Sequence, residues 1–143
     1  MASQKLFRQV LVLLAVAMIP AGGAAFFHPK RPAWNDSLPG PGQVLLQTAL
    51  GWKNQVLWLD ARPDVEYQQA HIPGAMPLNE DDWDGLLPPV LAAWSNDRII
   101  VVYCSSLSCQ ASEEVAKRLR EDARLPQVYV LKGGWEAWIA GKK

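Results

Sequence analysis

The chain is poor in metal-ligating side chains: among 143 residues there are two histidines and two cysteines. Cys104 and Cys109 lie five positions apart with no histidine beside them, a spacing that fits no common zinc site. No glycine-rich phosphate loop is present, and Gly133-Gly134 is too short to act as one. Nor is there an excess of one charge. Fourteen basic residues balance fourteen acidic ones, interspersed along the chain, so nothing points to a nucleic-acid surface. Internal repeats and low-complexity tracts are also lacking. What remains is a chain whose last hundred or so residues can form one globular α/β domain with a core that needs no disulfides.

Charge is also missing from one long stretch near the amino terminus. After Lys5 and Arg8, the residues Val10 to Phe27 include no charged side chain over eighteen positions. Such a run is directed to a membrane. Small residues at Gly23 and Ala25 resemble a signal-peptidase site, while the length is just enough to span a bilayer. Residues 1–28 are therefore read as a signal-anchor or signal peptide, with an uncleaved anchor preferred. The domain would then face the extracytoplasmic (periplasmic) side, or be secreted if the segment is cleaved. Residues 29–42, rich in proline and glycine, read as a linker, and residues 43–143 as the domain.

Within the domain the run Arg98-Ile99-Ile100-Val101-Val102-Tyr103-Cys104 is an apolar strand that delivers a cysteine into a loop. A helix follows, with Val115, Ala116 and Leu119 on its apolar face. A thiol at the carboxyl end of a buried parallel strand, facing the amino end of a helix, sits where N–H groups and the helix dipole favour a thiolate. It is a candidate nucleophile; a buried, inert core cysteine is the other reading.

The coarse pattern predicts a helix over 43–52, strands over 56–59 and 75–78, a short helix over 64–69, and a helical region over 81–94 interrupted at Pro88-Pro89. The cysteine strand comes next, then the helix from Glu113 to about Asp122, a strand over 128–131 and a terminal helix. Alternation of this kind implies a mostly parallel sheet with helices on both faces. Six of the seven tryptophans fall in the domain and read as packing residues. Trp135 and Trp138 would pin the last helix to the sheet, and Gly133-Gly134 would supply positive φ or a close backbone approach before it.

Asp60 and Arg62 end a strand at the face where open α/β sheets bind ligands, so they are candidate site-lining residues; an ion pair that organises the loops is the alternative. His71, followed by Ile-Pro-Gly, reads as a backbone hydrogen-bonder rather than a general base.

Three ordered motifs carry a family resemblance. The segment from Val56 to Ala75, with its strand, Asp60-Ala61-Arg62, Glu66-Tyr67 and His71-Ile72-Pro73-Gly74-Ala75, resembles the first signature of the rhodanese family. Val128 to Trp138, with strand, Gly-Gly and aromatic helix, resembles the closing one, and Cys104 lies between them where that family carries its cysteine. The resemblance implies a rhodanese-like fold and a sulfurtransferase without cofactors, in which Cys104 carries sulfur as a persulfide. The loop of Ser105, Ser106, Leu107, Ser108, Cys109 and Gln110 would cradle it with main-chain amides. The partners implied are a small sulfur-containing substrate or a persulfide or thiol protein. This chain departs from the usual loop, because no residue from Ser105 to Glu114 is cationic and Ser112 is the serine that opens the helix. The missing arginine counts against phosphatase and arsenate-reductase chemistry. Two other functions stay open: a thiol–disulfide module using Cys104 and Cys109, and a catalytically idle docking domain.

Overall fold

The computed structural model of the chain describes residues 38–105 and 109–142, without the side chain of Cys109. The apolar segment and the linker up to residue 37 lie outside the described residues. Among the described residues no helix is long and apolar enough to cross a membrane.

Three apolar runs form the centre of the sheet. They are β2 (Val56–Asp60), β4 (Ile99–Tyr103) and β5 (Val128–Leu131), flanked by the two-residue strands β1 (Gln43–Val44) and β3 (Met76–Pro77). All pairings are parallel, in the order β1-β5-β4-β2-β3. Since side chains alternate across a strand, each central strand feeds two cores. Leu57, Leu59, Ile100, Val102, Val128 and Val130 face one layer, where α3 (Trp83–Ala93) and α4 (Cys109–Glu121) bury Trp83, Val90, Val115, Ala116 and Leu119. Val56, Trp58, Val101, Tyr103 and Leu131 face the other, covered by α1 (Leu46–Gly51) and α5 (Gly134–Gly141), with Trp135 and Trp138 packed against it. Both faces of the sheet are thus covered, which is why these strands read as continuous hydrophobic runs. A further short helix, α2 (Asp64–Gln69), follows β2.

Three expectations need correction. Gln43 and Val44 are a strand rather than the first turn of a helix, because the edge of β5 claims them: the Val130 and Lys132 amides donate to the Gly42 and Val44 carbonyls, each at 2.9 Å. Pro88 and Pro89 do not interrupt α3. They stand in its second turn, so the carbonyls that lose a partner are those of Asp84 and Gly85 near the helix start. Beyond them the ladder closes normally, with Trp94 N–H donating to Val90 at 3.0 Å, and fully buried Val90 holds this part of the helix in the core. The third correction bears on the site: α4 starts at Cys109, four residues before Glu113. Cys109 and Gln110 therefore belong to a helix, and Ser112 lies inside its first turn rather than opening it.

The topology also sets the place of the site. β2, β4 and β5 are adjacent and parallel, so their carboxyl ends bring Asp60-Ala61-Arg62, Cys104 and Gly133-Gly134 to one edge of the sheet.

Candidate functional site

Cys104 leaves β4 directly after the fully buried Tyr103 and is itself only 2 % exposed. Its Sγ accepts a hydrogen bond from the Ser112 hydroxyl at 3.1 Å and lies 3.0 Å from the Ser105 carbonyl, which the thiol proton can reach. Ser112 is 1 % exposed. A hydroxyl donor aimed at sulfur stabilises the thiolate. Sequence reading placed Ser112 at the helix boundary and left it out of the site. The eight-residue spacing from Cys104, together with a helix that starts at Cys109, is the signal that could have found it.

The last motif holds the cysteine from the other side. Trp135 N–H donates to the Cys104 carbonyl at 2.7 Å. For that approach the chain passes through Gly133 (φ 76°) and Gly134 (φ 51°), both in the left-handed region. A Cβ on Gly134 would collide with the Cys104 carbonyl oxygen, so only glycine fits. Positive φ and close approach, offered by the sequence as alternatives, both occur here.

Asp60 and Arg62 form a buried pair beside this contact. The Arg62 guanidinium donates from Nη2 to Asp60 Oδ2 at 2.6 Å and from Nε to both carboxylate oxygens at 2.9 and 3.2 Å. Nη2 also donates to the Ala70 carbonyl at 2.7 Å. The cation lies 4.6 Å from the centre of the Trp135 ring and 5.6 Å from that of Tyr103. Burial works against its charge, but the hydrogen bond and attraction of Asp60 outweigh that cost and raise the Arg62 pKa. One guanidinium thus joins both ends of the first motif, the cysteine strand and the last motif. Exposed His71 stacks on Tyr67 at 4.1 Å, and its Nδ1–H donates to the Tyr67 carbonyl at 2.9 Å, which is the backbone role its sequence context suggested. Ser106, Leu107 and Ser108 lie outside the described residues, as does the side chain of Cys109. Ser105 is half-buried and Gln110 exposed.

Tyr103 closes the network, its hydroxyl accepting the Ile72 N–H at 3.0 Å. Burial pushes its phenol well above the ordinary value, the Asp60 carboxylate adds to the rise, and the Ile72 N–H and Arg62 oppose it. The folded protein keeps the phenol neutral while the unfolded chain ionises it near pH 10. Stability from this group is therefore complete below pH 10 and is lost as the pH rises toward the folded value. Tyr67, raised chiefly by burial, adds a smaller slope of the same sign. In urea titrations between pH 8 and about 11, Tyr103→Phe is expected to lose stability with pH less steeply than the native chain. At neutral pH it should be about 1–3 kcal/mol weaker, since the buried Ile72 N–H loses its acceptor.

A thiol at the end of a central parallel strand, touched by a hydroxyl from the first turn of the helix that follows, defines a cysteine-centred α/β domain. The profile of the rhodanese-like domain matches residues 44–141, and the chain belongs to that family. It is similar to M-phase inducer phosphatase 1 of Homo sapiens, with 33 % identity over 57 % of this chain and 18 % of that protein. It is likewise similar to the HTH-type transcriptional regulator Rv0324 of Mycobacterium tuberculosis, with 36 % identity over 61 % of this chain and 36 % of the regulator. The chain thus spans well under half the length of these curated relatives. Among solved structures it resembles the rhodanese-like domain of the Alr3790 protein from Anabaena sp., with 26 % identity and a TM-score of 0.50 over 69 % of this chain and 74 % of that one.

Proposed function

We propose that this domain is a sulfurtransferase in which Cys104 carries sulfane sulfur as a persulfide and passes it to a thiol or cyanide acceptor. The observation that carries the reading is the Ser112 hydroxyl directed at the Cys104 sulfur from the first turn of a thirteen-residue helix. The thiolate attacks the outer sulfur of a sulfane donor. An S–S bond forms to Cys104, the donor's own bond to that sulfur breaks, and its electron pair leaves with the departing anion. On this reading the main-chain amides at the start of α4 would meet the developing charge, as helix amino ends do. Attack by an acceptor on the outer sulfur then returns Cys104 as a thiolate. The reaction needs no metal or organic cofactor.

Phosphatase chemistry, which the name of one relative suggests, is a weaker reading for this chain. A phosphoryl group brings two negative charges, and residues 105–114 offer no Lys or Arg to meet them. On the same proposal, the apolar segment over 10–27 anchors the domain at a membrane, with the domain on the extracytoplasmic side.

Intact-mass spectrometry of the reduced full-length chain after exposure to a sulfane donor tests the reading. A gain of one sulfur atom, removed by a thiol or cyanide, is expected. No gain from any sulfane donor would overturn it and leave the thiol–disulfide reading if mild oxidation removes two hydrogens, or the docking role if it does not.

A further inference from the structure

We infer that the donor to Cys104 is a persulfide of a thiol carrier, R–S–SH, rather than thiosulfate, because the arginine brought to this edge of the sheet is withheld from the site. The inference rests on the sulfur-transfer reading above and names its substrate class.

The two donors differ in charge. With a persulfide in its anionic form, Cys104–S⁻ + R–S–S⁻ gives Cys104–S–S⁻ + R–S⁻, so two negative charges meet in the transition state, and only one when the donor is protonated. With thiosulfate, Cys104–S⁻ + S–SO₃²⁻ gives Cys104–S–S⁻ + SO₃²⁻, and three negative charges meet in the transition state. A helix amino end offers roughly half a positive charge. That comes nearer to the demand of the first reaction and falls well short in the second, where a cationic side chain must help.

Neither the sequence of the loop and helix start nor Arg62 supplies such a side chain. No residue from Ser105 to Glu114 is Lys or Arg, and the two residues that follow Ser112 are Glu113 and Glu114. Glu113 is fixed in place, its Oε1 accepting Gln43 Nε2 at 3.0 Å from the edge strand. Arg62 comes to the edge where Cys104 lies, yet Asp60 takes its Nε and Nη2, the Ala70 carbonyl shares Nη2, and its Cζ lies 4.6 Å from the centre of the Trp135 ring. Nη1 faces Glu66 at 3.8 Å, and only 4 % of the side chain is exposed. Turning the guanidinium toward an incoming oxyanion would draw Nε and Nη2 off Asp60 and leave that carboxylate buried and without its cation, at greater cost than the oxyanion contact returns.

The test compares initial rates of sulfur loading on the reduced full-length chain, read by intact mass, with glutathione persulfide and with thiosulfate. Glutathione persulfide is expected to load Cys104 about a hundredfold faster at equal concentration. Gln110→Arg, a cation added at an exposed position in the first turn of α4, is expected to raise thiosulfate loading about tenfold. Comparable rates with the two donors would overturn the inference and leave sulfur transfer standing. Thiosulfate loading that Lys132→Gln abolishes would also overturn it, by revealing a cation for the oxyanion beyond β5. Absence of loading from either donor would instead sink the sulfur-transfer reading.

Discussion

Cys104→Ser is expected to abolish sulfur loading, with a fall of at least about a thousandfold that leaves only background. Serine keeps a hydrogen-bonding partner for Ser112 and the Ser105 carbonyl in nearly the same volume, so the fold should survive. What disappears is the nucleophile, since a hydroxyl in this setting has neither the acidity of a thiol nor an adjacent base to activate it. Cys109→Ser is the companion variant. It retains the main-chain amide at the start of α4 and is expected to load within a few-fold of the native rate. A disulfide cycle between the two cysteines makes the opposite demand, because either substitution would then stop turnover, and mild oxidation of the native chain would remove two hydrogens from its mass. Equal losses in the two variants would therefore move the function from sulfur transfer to redox exchange.

The residues legible in advance were those whose neighbours in sequence determine their environment. The runs Val56 to Leu59, Ile99 to Tyr103 and Val128 to Leu131 are apolar on both sides because helices cover both faces of the sheet, and their order placed Cys104 at a strand end. Gln43 and Val44 were opaque for the converse reason. Two residues show no period, and they are a strand only because β5 offers them an edge. The start of α4 was hidden by composition: Cys109, Gln110, Ala111 and Ser112 carry no apolar periodicity, which first shows at Val115. That error moved Ser112 out of the site, although its hydroxyl touches the sulfur. The contacts of Arg62 lay further still from local sequence. Its partners Asp60, Ala70, Tyr103 and Trp135 come from four segments, and only the closed sheet brings them within reach.

Those partners make Arg62→Ala the most damaging substitution expected for stability. The change leaves the fully buried Asp60 carboxylate without its cation, strips the Ala70 carbonyl of a donor, and removes the guanidinium on which the Trp135 ring rests. Breaking a buried pair from one side costs about 3–5 kcal/mol, a large share of the roughly 5–15 kcal/mol that holds a domain of this size together. The loss should reach the site, because the Trp135 main chain holds the Cys104 carbonyl. Urea unfolding at neutral pH measures the first effect and residual sulfur loading the second. The double variant Asp60→Leu with Arg62→Met removes both charges and is expected to be more stable than Arg62→Ala alone, since no uncompensated charge remains buried. A loss below about 1 kcal/mol in Arg62→Ala would place the pair among weak surface ion pairs and would remove the reason for holding Arg62 unavailable to an oxyanion. If instead the full loss appears and the double variant recovers part of it, the pair holds the loops together. The weak thiosulfate loading expected of this domain would then follow from how the fold keeps Arg62 in place.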